Sequence, residues 1–462
     1  MFFNFSTWLP EALINKDFLL RDFVGGITIA MIIIPQSMAY ATLAGLEPIY
    51  GLYASLIPVG IAAIFGSSRY LATGPVAMVC LLTSVAISSL ASGQTDLYIY
   101  FAILLAFSVG LFQIILSLGR AGYFFDKIPE HVLLGFTSAA ALIISMSQLS
   151  KVFGMPKISF MQLADLNSLL EAHPISVEAL SLSIIILFFM YIVKYKLITR
   201  TTSMSESSVP VGKIRRTVSN LAVFFAVVIS ILISTLFIYK APIVGHIPAG
   251  LPDIKIPSYD FFKISIPMLI IHTIIISFVG FMEAIAIAKQ LHNKKPPKDD
   301  KGVELFKDPT PINTNQELFG QGCANISSGL SGSLPVSGSF SRSAVNEACG
   351  SYSGFSSVIT MIVVGLTLLY ATPLLYNLPE ATLGIIVIFA VIPLIRIKEM
   401  KRLYSENKEL GSVAWITFVS TLIFPLLSWE LFEGITTHIW TGIIFGFIVH
   451  IIFSKIFKDP QI

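Results

Sequence analysis

The sequence predicts an all-α polytopic membrane protein with fourteen transmembrane segments, the third and tenth being half-helices preceded by short extended stretches. Three observations carry this. Only 12% of the 462 residues are charged (30 Lys plus Arg, 27 Asp plus Glu), about half the usual share of roughly 25% in soluble proteins. Hydrophobic residues make up 55% and the mean hydropathy is +0.80, more apolar side chain than one aqueous core can bury behind a wettable exterior. Runs of about 20 apolar residues, the length that crosses a hydrocarbon core of about 30 Å, recur along the whole chain. Together they exclude a soluble enzyme, a disordered chain and a nucleic-acid binder.

The first residues, MFFNFSTWLPEALINKDFLLRDF, lack the basic start and small-residue cleavage site of a signal peptide. Residues 1–20 read as an amphipathic helix lying in the interface. Spans then follow at 22–43, 49–66, 75–92, 97–118, 131–149, 176–195, 218–239, 264–289, 320–331, 340–351, 354–371, 381–396, 411–428 and 437–455. Leu97 to Leu118 and Leu221 to Tyr239 are the plainest, with no ionisable group except tyrosine. The ninth is short and rich in Gly and Ser. Polar segments from Thr199 to Asn220 and from His292 to Glu317 read as solvated loops.

Lys and Arg cluster around Arg120 and Lys127, from Lys194 to Arg216, from Lys289 to Lys307 and from Arg396 to Arg402. The positive-inside rule makes these loops cytoplasmic and places both termini inside, although Lys240, Lys255 and Lys263 fall in an outward loop. A net charge of +3 implies no acidic macromolecular partner. Cys80, Cys323 and Cys349 have no metal-ligand spacing and read as buried free thiols. No cofactor or metal is expected.

Functional chemistry is expected at the two interrupted segments. In LATGPVAMVC (Leu71 to Cys80), Gly74 lets the backbone turn and Pro75 suits a first helical position. In SGSLPVSGSFSRSAVNEACG (Ser331 to Gly350), Pro335 and Gly338 punctuate an extended stretch before Ser339 to Ser343 begin a second helix. Helical backbone cannot be broken against lipid, so both starts must be buried in protein or line a polar cavity. A helix N-terminus presents unpaired N–H groups and about half a positive charge, so two facing starts form an anion site. The serine hydroxyls can add donors. Arg342 would add a full charge and should face a cavity, or else snorkel or pair with a carboxylate such as Glu347.

Glu283, a lone carboxylate in an apolar span, is the candidate for a coupling proton or, if ionised, for part of a cation site; a structural hydrogen bond is the alternative. His272 reads as a buried neutral histidine. Gln36 follows Pro35 in the first span and Tyr40 lies one turn on, so both can donate to a polar ligand, or merely stitch helices and fill space. If the first span answers the eighth and the third answers the tenth, the chain is two inverted halves, the extra length of the second falling in the loop after His292.

Four ordered stretches resemble the sulfate permease (SulP) family of anion transporters, which includes prestin and the animal sulfate and chloride/bicarbonate exchangers. They are IPQSMAYATLAGLEPIYGLYASLIP (Ile34 to Pro58), GSSRYLATGPVA (Gly66 to Ala77), NQEL (Asn315 to Leu318) and LPVSGSFSRSAVN (Leu334 to Asn346). The resemblance implies two inverted repeats of seven segments, about 21–240 and 260–455, within a membrane transport domain at 21–455. A core subdomain there moves against a gate in an elevator-like cycle. It implies an anion site at Gln36, Tyr40, Val76, Ala77, Ser339, Ser341 and Arg342, with Glu283 at the acidic position of proton-coupled members.

The expected activity is secondary active anion transport at the cell membrane, not catalysis. Sulfate is the first candidate and bicarbonate or a small dicarboxylate the next, coupled to a proton or alternatively to sodium. A passive anion channel is the rival reading, and a homodimer is possible. Residues 456–462 are expected to be a short cytoplasmic tail without the STAS domain that most members carry.

Overall fold

A computed structural model describes residues 16–91, 97–125, 129–155, 175–193, 221–237, 239–254, 266–292, 312–431 and 440–456. In chain order the helices are α1 (Lys16–Leu43), α2 (Pro48–Ala54), α3 (Ile57–Phe65), α4 (Ala77–Leu90), α5 (Tyr98–Leu118), α6 (Gly122–Phe125), α7 (Glu130–Ser147), α8 (Leu149–Val152), α9 (Val177–Tyr191) and α10 (Ala222–Leu236). They continue with α11 (Ile266–His292), α12 (Thr314–Leu330), α13 (Phe340–Ala348), α14 (Phe355–Leu366), α15 (Glu380–Val391), α16 (Ile397–Glu406), α17 (Lys408–Leu431) and α18 (Trp440–Ile456). Each apolar stretch read from the sequence carries a helix. Among the described residues, seven helical stretches are long and apolar enough to cross a bilayer, from Phe18–Leu43 to Glu380–Glu406. The outward faces of α9 and α10 present Ile184, Phe188, Leu232 and Leu236, surface that water would not tolerate over such an area and lipid does.

Several boundaries differ from the sequence reading. Lys16 to Leu20, assigned above to an interfacial segment, are the first turns of α1, and residues 1–15 lie outside the described residues. The second span is two short helices, because Leu56 leaves helical geometry just before Pro58. Helix α12 begins at Thr314, capped by the Asn313 side chain accepting from the Gln316 N–H. Thr314 to Glu317 are therefore helical, not loop. Residues 293–311 of that loop and the loop from Thr199 to Asn220 lie outside the described residues. The amphipathic helix α16 was not foreseen; Met400 is buried while Lys398, Lys401 and Arg402 are exposed. Cys80 is buried, whereas Cys323 and Cys349 are only partly so, and all three are free.

The two interrupted segments meet. Strands β1 (Thr73–Gly74) and β2 (Ser337–Gly338) pair antiparallel, Thr73 opposite Gly338 and Gly74 opposite Ser337. The pairing extends by one bond, Ser339 N–H to the Ala72 carbonyl at 3.0 Å. The Ala72 N–H donates to Ser343 Oγ at 2.8 Å, and Ser337 Oγ donates to the Gly280 carbonyl at 2.6 Å. These bonds satisfy backbone groups that lipid could not. Gly74 has φ +149°, and a Cβ there would lie 2.9 Å from Ile33 Cδ1 and 3.2 Å from Arg342 Nη2. Only glycine suits both demands. Pro75 does not open a helix as expected: α4 starts at Ala77 with Val76 as its N-cap, so Pro75 ends the extended stretch.

Helices α5 and α12 pack backbone to backbone through small residues, as membrane helices do where no hydrophobic effect separates side chain from solvent. A Cβ on Gly110 would lie 2.4 Å from the Ile326 nitrogen and 2.6 Å from the Gly322 oxygen, atoms that cannot yield. Gly110→Val is therefore expected to lower the thermal unfolding midpoint in detergent by several degrees, consistent with an overpacking cost of about 1–3 kcal/mol or more. Gly365→Ala, which meets only a Leu56 methyl at 3.3 Å, should be tolerated.

Candidate functional site

Helices α4 and α13 both begin at the β1/β2 pair, inside the protein. Their N-caps, Val76 and Ser339, are extended and make no side-chain capping hydrogen bond. The first intrahelical donors are the Cys80 N–H to Val76 O and the Ser343 N–H to Ser339 O. The N–H groups of Ala77 to Val79 and of Phe340 to Arg342 thus stand ahead of each helix's own ladder. Two positive dipole ends converge where no side chain has been placed to cap them. The Ser339 and Ser341 hydroxyls lie 3.4 Å apart beside the second start.

Arg342 is fully buried. Its Nη2 donates to the Pro75 carbonyl at 3.0 Å and its Nη1 to Gln36 Oε1 at 3.4 Å, while Nε has no hydrogen-bond partner among the described residues. The guanidinium therefore lies behind the first helix start and joins it to α1. It neither snorkels nor pairs with Glu347, and it is not among the cavity-lining residues, contrary to the expectation that it would face the cavity. The physical reason is the Pro75 carbonyl: a backbone acceptor left open by the turn before α4 supplies the partner that a buried cation requires. Gln36 both accepts from Arg342 and lines the cavity, so its stitching and lining roles coexist.

A cavity of about 460 Å³ opens against the two helix starts. At about 30 Å³ per water, it has room for an anion together with part of its hydration shell. Gln36, Tyr40, Val76, Ala77, Glu283, Ser339 and Ser341 all line it. Glu283 Oε2 has no hydrogen-bond partner among the described residues. His272 is buried in the same helix, outside the cavity lining. The opposite wall was not found from the sequence. It includes Ala222 and Val223 at the start of α10, and Ile386, Phe389, Ala390, Val391, Pro393 and Leu394 at and just past the end of α15. These residues are apolar, and nothing in their spacing separates a cavity wall from ordinary packing. At the far end of α1, Lys151 Nζ donates to Thr42 Oγ1 at 2.5 Å and ties α8 to α1. Among the described residues no cluster of His, Cys, Asp and Glu could hold a metal.

A family model described as the sulfate permease family matches residues 19–418. Sulfate transporter 4.1, chloroplastic, of Arabidopsis thaliana is 35% identical over 418 residues, 89% of this chain and 56% of that protein. The sodium-independent sulfate anion transporter of Bos taurus is 30% identical over 451 residues, 93% of this chain and 69% of that protein. Among solved structures, the murine solute carrier 26 family member A9 anion transporter in its inward-facing state gives a TM-score of 0.80 at 20% identity, over 100% of this chain and 72% of that one. The transmembrane domain of the cyanobacterial bicarbonate transporter BicA gives 0.71 at 24%, over 88% and 97%. These two likenesses establish the fold. The chain spans 56% and 59% of the two plant sulfate transporters 4.1 and 4.2.

Because Gln36 is one of two acceptors for the buried guanidinium among the described residues, Gln36→Leu should destabilise the folded protein by about 1–3 kcal/mol. A lower thermal midpoint in detergent would report this, whereas an unchanged midpoint would mean that the Arg342–Gln36 contact carries no stability.

Proposed function

The chain belongs to the sulfate permease family, and on that premise we propose that it is a secondary active anion transporter whose first substrate is sulfate. The observation that carries the proposal is the convergence of two uncapped helix starts on one cavity, with a buried arginine behind them. Such a site favours an anion through dipoles and N–H groups that are already oriented. Sulfate ranks first because relatives at 30–35% identity are named sulfate transporters. Bicarbonate and small dicarboxylates rank next, since a dipole site reads charge and size more than shape. The relatives are transporters, and the reading is of transport, not catalysis.

Gln36, Tyr40, Val76, Ala77, Ser339 and Ser341 are proposed as the substrate-facing set, and Arg342 as the charge that supports them from behind. Glu283 is proposed to carry the coupling proton, because it lines the cavity with an oxygen that no donor satisfies among the described residues; sodium is the alternative coupling ion. The antiparallel β1/β2 pair supports two inverted repeats of seven segments related across it. Alternating access is proposed to occur by an elevator-like movement of the helices bearing α4 and α13 against the wall formed by α10 and α15. Residence in the cell membrane with both termini cytoplasmic, and assembly as a homodimer, are part of the same proposal.

Purified protein in liposomes, tested with a panel of labelled anions under separate pH and sodium gradients, examines all of this. Saturable sulfate uptake is expected, concentrated above the external level when the outside is acidic, because proton symport draws on inward proton flow. Arg342→Ala should lower uptake by about tenfold or more, equivalent to about 1.4 kcal/mol. Glu283→Gln should abolish the response to pH while sulfate exchange persists. Stimulation by sodium alone would move the coupling to sodium, and single-channel currents without accumulation would replace the transporter by a channel.

A further inference from the structure

Helix α12 contributes no residue to the cavity, yet one of its faces is polar and buried. Glu317, Gln321, Asn325 and Ser328 are at most 1% exposed. Spacings of four, four and three residues place them in one row, climbing about 6 Å for each four residues. Polar groups are costly in a lipid-embedded interior unless fully paired, and apolar residues of similar shape would give comparable stability. The row therefore calls for a reason other than stability.

Each member reaches a different point of the two interrupted segments. Glu317 Oε2 accepts from the Ser67 N–H at 2.7 Å and the Ser68 N–H at 2.9 Å, holding the turn that feeds β1. Gln321 Nε2 donates to Thr73 Oγ1 at 2.9 Å, within β1. Asn325 pairs with the backbone of Val336 as another strand would: its Nδ2 donates to the Val336 carbonyl at 3.1 Å and its Oδ1 accepts the Val336 N–H at 2.8 Å. Ser328 Oγ donates to the Leu334 carbonyl at 2.6 Å. The rungs are joined, Gln321 Nε2 to Glu317 Oε1 at 3.4 Å and Asn325 Nδ2 to the Gln321 carbonyl at 3.0 Å. The helix that bears them cannot drift, because its glycines lock it to α5.

We infer that this row on α12 is the positioning element of the anion site: Gln321 sets the start of α4 through Thr73, and Asn325 sets the start of α13 through Val336. The inference rests on the anion reading given above. A site made of backbone dipoles has no side chain that can swing to compensate, so its affinity depends on where the two helix starts are held. Gln321 and Asn325 are positioning residues, since neither touches the cavity.

The test compares Thr73→Val, Gln321→Ala, their double variant, Thr73→Ser and Asn325→Ala. It reads KM and Vmax for sulfate uptake in liposomes, and amide hydrogen exchange of segments 71–80 and 334–343 without substrate. Thr73→Val and Gln321→Ala should each raise KM by about tenfold, the double variant no more than either single, and Thr73→Ser should restore the wild-type value because it keeps the hydroxyl. Exchange should quicken in 71–80 for the first pair and in 334–343 for Asn325→Ala. Unchanged KM with Vmax falling in step with folded protein would overturn the inference, as would multiplicative effects of Thr73→Val and Gln321→Ala. If the wild type takes up no anion while the segment-specific exchange pattern appears, the anion reading falls and the positioning role stands.

Discussion

Two helices of this protein begin in its interior, and each leaves backbone N–H and C=O groups that lipid could not satisfy. Most of the architecture answers that demand. The extended stretches before α4 and α13 satisfy one another as a two-residue antiparallel pair. Serine hydroxyls and the Asn325 side chain take up adjoining carbonyls and amides. The Pro75 carbonyl, left open by the turn into α4, is taken by Arg342. Among the described residues, the first-turn N–H groups at the two helix starts stand ahead of their own helices' ladders, and Val76 to Met78 and Ser339 to Ser341 line the cavity. The same constraint that forces the breaks to be buried also concentrates the unused donors in one place.

The electrostatics follow from this geometry. A cation standing in the cavity would hold an anion tightly. A guanidinium behind the first helix start, already donating to Pro75 and Gln36, supports the positive dipole ends without contacting what lies between them. Transport needs binding strong enough to recruit the anion and weak enough to release it, and dipoles backed by a screened charge meet both requirements. Glu283 on the same cavity makes the local charge depend on its protonation, which links anion occupancy to a proton in the proposed cycle.

The sequence made some of this legible and hid the rest for physical reasons. The breaks at Gly74 and at Pro335–Gly338 were readable because Gly and Pro interrupt otherwise apolar runs, and Glu283 because a lone carboxylate in such a run is costly. Arg342 stood out for the same reason, but its direction did not: whether a buried cation faces a cavity or a carbonyl depends on a backbone acceptor 267 positions away in the chain. Glu317 was misread as loop because a polar, Pro-rich segment precedes it, and its partners Ser67 and Ser68 are remote in sequence. The wall formed by α15 was invisible, since Ile386 to Leu394 are apolar whether they line a cavity or pack a core. Local signals showed where helices break; only tertiary contacts showed what the breaks are held against.

The proposed site holds an anion between the starts of α4 and α13. Anomalous X-ray scattering from crystals grown with selenate, an isostere of sulfate, tests it most directly. A saturable selenium peak is expected in the cavity, within hydrogen-bond distance of the N–H groups following Val76 and Ser339 and of the Ser339 or Ser341 hydroxyl. A peak confined to other parts of the protein, or saturable transport with the space between the two helix starts empty of selenium, would contradict it.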